Sequence, residues 1–241
     1  MVFDAARRRH AGQLDRAPRW WNRVLGADGY APLDELPHNW LVHEGDGGPD
    51  GLLAWTARGG HDGLLPPFAS LDVWLLASAS AEAYRDSWAY LTGVDLIDEV
   101  RLAERPVSEP VRWLLRDGRA LRTTSVVDFV WLRLLDVPAA LSARRYACPG
   151  SVVLEVRDDD PPGYAAGRYR LTAADGEVRC LRTDEEPELL IAQRALASIY
   201  LGGFRLAELP TELAVERTPG ALSRVDLMFS TPLPPWNATW F

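Results

Sequence analysis

Strand-like and helix-like hydrophobic patterns alternate along the first half of the chain. The segments "HNWLVHEG", "GLLAWTA" and "ASLDVWLLAS" have the composition of β-strands, and the turn-rich "GDGGPDG" between the first two indicates a hairpin. In "SAEAYRDSWAYLTG", Tyr84, Trp88 and Leu91 are spaced as on one helix face, and Ser80 is a predicted N-cap. Strands interleaved with helices predict an α/β fold for this half.

A second unit is predicted to begin near Thr123. Its segment "DFVWLRLLDV" is apolar at nearly every position, as in a central buried strand. "SVVLEVRD" alternates with Val152, Leu154 and Val156 facing inward, and "EVRC" places Cys180 on the inward face of another strand. Helices are predicted in "AQRALASIYLGG" and in "TPGALSRVDLMFS", the latter with Thr218 as its cap and Pro219 at its first position.

Charge and hydropathy exclude several classes of partner. The formal net charge is -8 and the pI is near 5.1, which argues against a nucleic-acid partner because phosphate neutralisation needs a basic face. An acidic chain is compatible with a cationic substrate. No run is long and apolar enough to span a bilayer, and the N-terminal arginines are not followed by the apolar region of a signal peptide. We therefore expect a cytoplasmic protein with no membrane partner.

Motifs for nucleophilic or metal chemistry are not apparent. No serine lies in a GxSxG elbow, neither cysteine is in a CxxC pair, and the acidic run "DDD" before Pro161 is typical of a solvated loop. The sequence predicts no metal site. It also contains no GxxxxGK[ST] loop for a phosphate.

Several segments in order along the whole chain resemble one family. "YRDSWAYLTGVDLIDEV", "WLRLLDVPAALSARRYA", "VVLEVRD", "LASIYLGG" and "PPWNATWF" look like the C-terminal two-thirds of Eis-type (enhanced intracellular survival) GNAT N-acetyltransferases. The resemblance implies a GNAT-like domain without a cofactor loop at 1–123, followed by a domain similar to sterol carrier protein 2 (SCP2-like) at 124–241. The fold class is then α/β and α+β.

The same resemblance sets expectations for the cofactor. GNAT enzymes hold the pyrophosphate of acetyl-CoA with an Arg/Gln-x-x-Gly-x-Gly/Ala loop. "RHAGQL" and "RTPGAL" come near this pattern, but both end on leucine where a small residue is required. We therefore expect acetyl-CoA to be bound by a domain absent from this chain, and we assign no cofactor-binding residue here. The chain would be either a piece of a longer enzyme or a naturally short relative.

The C-terminal segment "PLPPWNATWF" is unusual because termini tend to be polar, yet this one ends in two aromatic residues and carries no charged side chain. The resemblance implies that the main-chain carboxylate of Phe241 is the catalytic general base on an amine. In that interpretation Trp236, Trp240 and Phe241 anchor the tail and fix the carboxylate. The alternative is that the aromatic tail only staples the last helix onto the core.

Four tryptophans, Trp40, Trp55, Trp74 and Trp240, are candidates for binding an amine-bearing small molecule, and core packing is the alternative for those on the strands. By resemblance the chain would be a homo-oligomer, a trimer or a hexamer. Two functions are left open: an Eis-like transfer of acetyl from acetyl-CoA to an amine, or a non-enzymatic SCP2-like module for ligand binding or oligomerisation.

Overall fold

The computed structural model describes residues 2–27, 39–59, 69–174 and 176–240. Contacts divide the chain into two compact units, Met1–Val126 with Trp236–Phe241, and Val127–Pro235. The last residues of the chain therefore belong with the first unit. The sequence-based boundary between residues 123 and 124 stays a prediction.

The first unit is a mixed four-stranded sheet with helices. Its sheet has the order β1-β2-β3-β4, in which the β1–β2 and β2–β3 pairs are antiparallel and the β3–β4 pair is parallel. The predicted β1–β2 hairpin is present. The elements are α1 (Val2–Arg7), α2 (Pro18–Val24), β1 (Asn39–Gly45), β2 (Gly48–Arg58), β3 (Ala69–Ser78), α3 (Ala81–Gly93), β4 (Ile97–Leu102) and the 3-10 turns Pro110–Trp113 and Gly118–Ala120.

Helix α3 covers one face of this sheet because it carries a single apolar side. Ser80 caps it as predicted, its Oγ accepting the Ala83 N–H at 3.0 Å. Trp88 and Leu91 are 8% and 0% exposed in a core that includes Trp55 of β2. On the opposite face of the sheet, α1 packs in a separate cluster of apolar residues. The sheet is thus the middle layer of the unit, as expected for interleaved strands and helices.

The parallel strands β3 and β4 pair only over the first part of β3. The last pair is Val73 with Leu102, and β3 continues beyond it. There the guanidinium of Arg105 donates to the carbonyl oxygen of Leu76 at 2.9 Å and forms an ion pair with Glu109 at 2.7 Å. Arg105 thus satisfies a carbonyl group that a neighbouring strand would otherwise satisfy.

The second unit is a five-stranded sheet with helices. The strand order is β7-β6-β5-β8-β9, and the β5–β8 pair is parallel while the others are antiparallel. Its elements are α4 (Val137–Ala143), β5 (Gly150–Arg157), β6 (Gly167–Ala174), β7 (Glu177–Arg182), β8 (Leu189–Ala192), α5 (Gln193–Tyr200), β9 (Ala214–Glu216), α6 (Ala221–Phe229) and the 3-10 turns Leu206–Glu208 and Thr211–Leu213.

Alternation along the strands positions the core of this unit. Val152, Leu154 and Val156 of β5 are at most 2% exposed, and Cys180 of β7 is 2% exposed, so these inward-facing predictions are confirmed. Burial raises the pKa of the Cys180 thiol to about 12. Because its thiolate is disfavoured, Cys180 acts as a core residue rather than as a nucleophile.

The prediction of a buried strand in the segment "DFVWLRLLDV" is wrong. The segment "DFVWLRLLDV" is irregular up to the start of α4, with Trp131 86% exposed and Leu135 57% exposed. Only Leu134 and Val137 of this segment are buried, at 6% and 1%. An apolar run predicts burial in a sheet, but neither described sheet pairs with it. Composition alone does not supply the neighbouring strand that a β-strand needs.

Within the described ranges no helix is long and apolar enough to cross a membrane. In the same ranges no group of three or more His, Cys, Asp or Glu residues is placed to hold a metal ion.

Candidate functional site

The residues after Pro235 pack against the segment that joins α1 to α2 in the first unit. The backbone N–H of Trp236 donates to the carbonyl of Ala11 at 3.0 Å. The side-chain oxygen of Asn237 accepts the N–H of Leu14 at 3.3 Å. We call residues 236–240 the tail. Because hydrogen bonds run in both directions between the tail and the 11–14 segment, the tail is a docked part of the unit.

Arg16 is the charged side chain that holds the next part of the tail. Its Nε donates to Thr239 Oγ1 at 3.2 Å and its Nη2 donates to the carbonyl of Ala238 at 2.8 Å. The guanidinium also lies over two aromatic rings, 4.2 Å from the centroid of Phe3 and 4.0 Å from that of Trp20. Cation–π contacts of this kind are strengthened when the cation is removed from water.

Burial also acts on the charged group of Arg16. Desolvation lowers the pKa of its guanidinium to about 10, while the carboxylate of Glu104 opposes that change. The side chain therefore remains a cation at neutral pH. A partly buried positive charge is thus held against the tail.

Glu104 accepts hydrogen bonds from both tryptophans of the tail. Its carbonyl oxygen accepts the indole N–H of Trp236 at 2.7 Å, and its carboxylate accepts the indole N–H of Trp240. Glu104 has φ +56°, a left-handed conformation that costs a non-glycine residue about 1–2 kcal/mol. In this conformation Glu104 accepts hydrogen bonds from both tail tryptophans, through its main chain and through its side chain.

Ring contacts and hydrogen bonds anchor different parts of the tail. The half-buried ring of Trp236 contacts the ring of His10 edge-to-face at 5.3 Å and lies 4.9 Å from the Arg105 guanidinium. Thr239 is 4% exposed, whereas Trp240 is 65% exposed although its indole N–H is bonded. The predicted catalytic residue, Phe241, lies outside the described residues. Its role as a general base stays a prediction, and the structure describes the chain up to the residue before it.

The tryptophans predicted to bind substrate do not form one cleft. Trp55 is 8% exposed and lies in the core beneath α3, whereas Trp40 packs in the cluster on the opposite face of the sheet. Trp74 is 44% exposed and lies at an irregularity in the β2–β3 pairing, where Ala54 is opposite Leu75 and Trp55 is opposite Val73. Trp240 is in the tail. A substrate role for each of the four stays a prediction.

A second polar cluster lies at the N-terminus of α3. The Asp50 carboxylate accepts a hydrogen bond from Ser80 Oγ at 2.5 Å and contacts His43 Nδ1 at 2.6 Å. The other ring nitrogen of His43 is 3.1 Å from Asp86. These contacts lower the pKa of Asp50, chiefly through Ser80, and raise that of His43, chiefly through Asp50.

The same polar residues determine whether the N-terminus of α3 suits the phosphates of acetyl-CoA. A helix N-terminus binds phosphate through unpaired N–H groups and a positive end charge. At α3 the N–H of Ala83 is taken by Ser80, and the Asp50 carboxylate already lies beside the cap. A pyrophosphate therefore does not fit at this helix end.

The His43 cluster predicts a pH effect on stability. The folded-state pKa of His43 lies above the ordinary value of 6.5. Its stabilising contribution is therefore present below pH 6.5 and is lost as pH rises through the folded pKa. We expect the free energy of unfolding, measured by urea titration from pH 6 to about 9, to fall more steeply for the wild type than for His43→Gln. Equal slopes for the two proteins would contradict this.

A surface cavity of about 480 Å³ lies in the second unit, lined by Arg168, Arg182, Thr183 and Asp184. Pockets for small apolar ligands are lined mostly by hydrophobic and aromatic side chains. This cavity is charged, so it does not favour the alternative of an apolar ligand in the SCP2-like domain.

Sequence reasoning missed Arg16 and Glu104. Arg16 is one of many arginines, in "LDRAPRWW", and Glu104 lies in "LAERPV" with no turn motif that requires a positive φ. The pairing of a cation with the "PRWW" aromatics was the available signal for Arg16. Nothing local indicated Glu104.

Comparisons with known proteins identify both parts of the chain. The family model for the acetyltransferase (GNAT) domain matches residues 12–134, and that for the sterol carrier protein domain matches residues 137–238. An uncharacterized N-acetyltransferase of Streptomyces griseus is 35% identical over 240 residues, 98% of this chain and 57% of the relative. N-acetyltransferase Eis of Mycobacterium tuberculosis is 35% identical over 244 residues, 100% of this chain and 56% of Eis.

Solved structures agree with these matches. Eis1 from Mycobacterium abscessus superposes with a TM-score of 0.82 at 31% identity, covering 100% of this chain and 59% of Eis1. A GCN5-related N-acetyltransferase from Anabaena variabilis, at 22% identity and a TM-score of 0.73, covers 96% of this chain and 56% of its own, and shows the fold alone. The chain thus spans between half and two thirds of the length of these relatives.

These findings confirm the predicted resemblance to the Eis-type family and the fold class, a GNAT domain followed by an SCP2-like domain. They also correct one expectation. The prediction that acetyl-CoA is bound by a domain absent from this chain is wrong, because the GNAT domain model matches residues 12–134. The prediction failed because it equated the missing loop motif with a missing domain.

Proposed function

Because this chain belongs to the acetyltransferase (GNAT) family, we propose that it takes part in the transfer of an acetyl group from acetyl-CoA to an amine-bearing small molecule. The match of the GNAT domain model to residues 12–134 supports this reaction class. The Eis-type arrangement of a GNAT domain followed by a sterol carrier protein domain supports it further. The net charge of -8 is compatible with a cationic substrate.

In this proposal the main-chain carboxylate of Phe241 is the general base. An amine that is protonated at neutral pH must lose a proton before its lone pair can form the amide bond. A carboxylate held near the amine stabilises the ammonium form and then accepts that proton. The nitrogen passes its proton to the carboxylate oxygen, and the amide bond forms as the thioester C–S bond of acetyl-CoA breaks. CoA leaves as a thiolate that takes a proton from water, and no side chain of residue 241 is needed.

The docked tail is the single observation that carries this assignment. A base contributes most when little conformational freedom remains to be lost on the way to the transition state. The chain is fixed as far as Thr239, which is 4% exposed and bonded to Arg16, and Trp240 is bonded to Glu104. A tail that served only as a staple would be expected to bury its rings, yet Trp240 is 65% exposed.

The exposed ring of Trp240 is the proposed contact for the amine. Its indole N–H is held by the carboxylate of Glu104, which fixes the ring's orientation. A tryptophan face attracts an ammonium group by a cation–π interaction of about 0.5–1 kcal/mol at an exposed site. Trp240 thus combines a face for the cation with a position next to the proposed base.

An amine panel tests the proposed reaction. The protein is incubated with acetyl-CoA and, in separate assays, with aminoglycosides, polyamines, lysine and lysine peptides, and release of the CoA thiol is measured. We expect release above the amine-free rate with at least one class, together with an acetylated product by mass spectrometry. Release that never exceeds the amine-free rate would overturn the proposal.

Assembly into a homo-oligomer is part of the same proposal and rests on the resemblance to the Eis-type family. Light scattering after size-exclusion chromatography measures the mass directly. A mass of about three or six chains is expected, and the mass of a single chain across the micromolar range would contradict it.

A further inference from the structure

The strongest unassigned feature of the described residues is the environment of Arg16. We propose that Arg16 is a positioning residue whose guanidinium sets the place of the tail, and so of the base that follows it. The inference rests on the proposed function for its catalytic consequence. Its structural part, that Arg16 fixes residues 238–239, stands on geometry alone.

Aromatic rings restrict the guanidinium of Arg16 independently of its contacts with the tail. It lies 4.2 Å, 4.0 Å and 5.6 Å from the ring centroids of Phe3, Trp20 and Trp21. Phe3 and Trp21 contact each other edge-to-face at 5.6 Å, as do Trp20 and Trp21 at 4.9 Å. The three rings therefore form a cage that limits the orientations of the planar cation.

The fixed guanidinium then contacts two consecutive residues of the tail. Nη2 donates to the main-chain oxygen of Ala238 and Nε donates to the hydroxyl oxygen of Thr239. One bond fixes the backbone and the other fixes a side chain, so both the position and the rotation of the tail are set. These contacts span 222 and 223 residues of sequence.

The geometry requires arginine in particular. Two donors on one rigid plane reach the two acceptors together, whereas the lysine ammonium is a single nitrogen on a flexible stem. In Arg16→Lys a cation remains over the rings, but the paired contact with Ala238 and Thr239 is lost. A role in packing charge against aromatic rings predicts that lysine substitutes well, and a positioning role predicts that it does not.

The test compares Arg16→Lys with Arg19→Lys, a matched change at an exposed arginine of α2. Native-state hydrogen exchange, followed by mass spectrometry, is measured for the peptide containing residues 236–240. We expect exchange of that peptide to quicken by about tenfold or more in Arg16→Lys and to be unchanged in Arg19→Lys. The melting temperatures of both variants are measured in parallel to establish that they fold.

Kinetics then separate positioning from substrate binding. With the best amine of the panel, Arg16→Lys is expected to lower kcat by about tenfold or more while KM stays within about twofold. A residue that only binds substrate would raise KM instead. Faster tail exchange with unchanged kcat would overturn the positioning role, and unchanged exchange would overturn the inference altogether.

Thr239→Val is a second variant, which removes only one of the two hydrogen bonds between Arg16 and the tail. It is nearly isosteric and removes the hydroxyl acceptor of Arg16 while leaving the Ala238 carbonyl. If Arg16 acts through the tail, Thr239→Val should quicken tail exchange in the wild type and have a smaller effect in Arg16→Lys. Strictly additive effects would contradict the proposed contact.

Failure of the proposed function is distinguishable from failure of this inference. If a protein lacking the Phe241 carboxylate is fully active, the base assignment fails. Faster hydrogen exchange of the tail in Arg16→Lys would still establish that Arg16 fixes the position of the tail. If the carboxylate is required but Arg16→Lys exchanges and turns over like the wild type, only Arg16 is wrongly assigned.

Discussion

Converting the main-chain carboxylate of Phe241 to a carboxamide is expected to lower kcat for acetyl transfer by about a hundredfold or more. A positioned general base contributes about 10²- to 10⁴-fold to a rate, and the carboxamide cannot accept a proton at neutral pH. The change leaves every side chain in place. We therefore expect the melting temperature to stay within about 1 °C of the control.

Semisynthesis makes this comparison clean. A synthetic C-terminal peptide ending in either the acid or the amide is ligated to the same expressed fragment, so both products carry the same ligation site. kcat is obtained from thiol release and the melting temperature from circular dichroism. Equal turnover by acid and amide would contradict the base assignment.

Extending the chain separates the base from the staple interpretation. Two or three residues added after Phe241 displace the carboxylate but keep the tail sequence, so the base interpretation expects lost turnover with normal stability. If the extended protein melts several degrees lower yet turns over normally, the tail acts as a staple and not as a base.

The second large effect is expected at Gly202, in the "YLGG" segment that carried part of the family resemblance. Gly202 has φ +80°, and a Cβ there would lie 2.5 Å from Thr231 Oγ1 and 3.1 Å from the carbonyl oxygen of Phe229. Strain in the left-handed region costs about 1–2 kcal/mol and overpacking about 1–3 kcal/mol. We expect Gly202→Ala to destabilise the second unit by about 3 kcal/mol.

Gly220→Ala is the matched control, because Gly220 has φ +86° and a Cβ added there would have no heavy atom of another residue within 4 Å beyond its neighbours in the chain. It isolates backbone strain, and a loss of about 1–2 kcal/mol is expected. Urea unfolding of both variants gives the two free energies. Equal losses would show that the contact with Phe229 and Thr231 adds nothing.

Local patterns predicted the regular elements well because those elements depend on near neighbours. Ser80 caps α3 as expected, and Val152, Leu154 and Val156 face inward as the alternation of β5 indicated. The prediction that Thr218 caps the final helix is wrong, because that helix begins at Ala221 and has Gly220 as its N-cap. Gly220 has φ +86° and ψ -3° in a turn that the Ala221 N–H closes by donating to the carbonyl of Thr218 at 3.1 Å. Pro-Gly at the two central positions is the local signal for such a type II turn.

The wrong strand shows the limit of the same reasoning. Trp131 and Leu132 are apolar but 86% and 41% exposed. Hydrophobicity predicts that a segment gains by burial, whereas the strand state also requires a partner edge for the backbone hydrogen bonds. That partner is a property of the whole fold.

The amino-acid sequence by itself determined the alternation of strands and helices, the capping of α3, the inward faces of the second sheet and the family resemblance, since each depends on the order and spacing of nearby residues. Only the tertiary structure decided how the tail is held. Arg16 and Glu104 meet residues of the tail across 222 and 136 positions of sequence, respectively. No periodicity spans such separations, because contacts of this length arise only when folding of the first unit brings the two ends of the chain together.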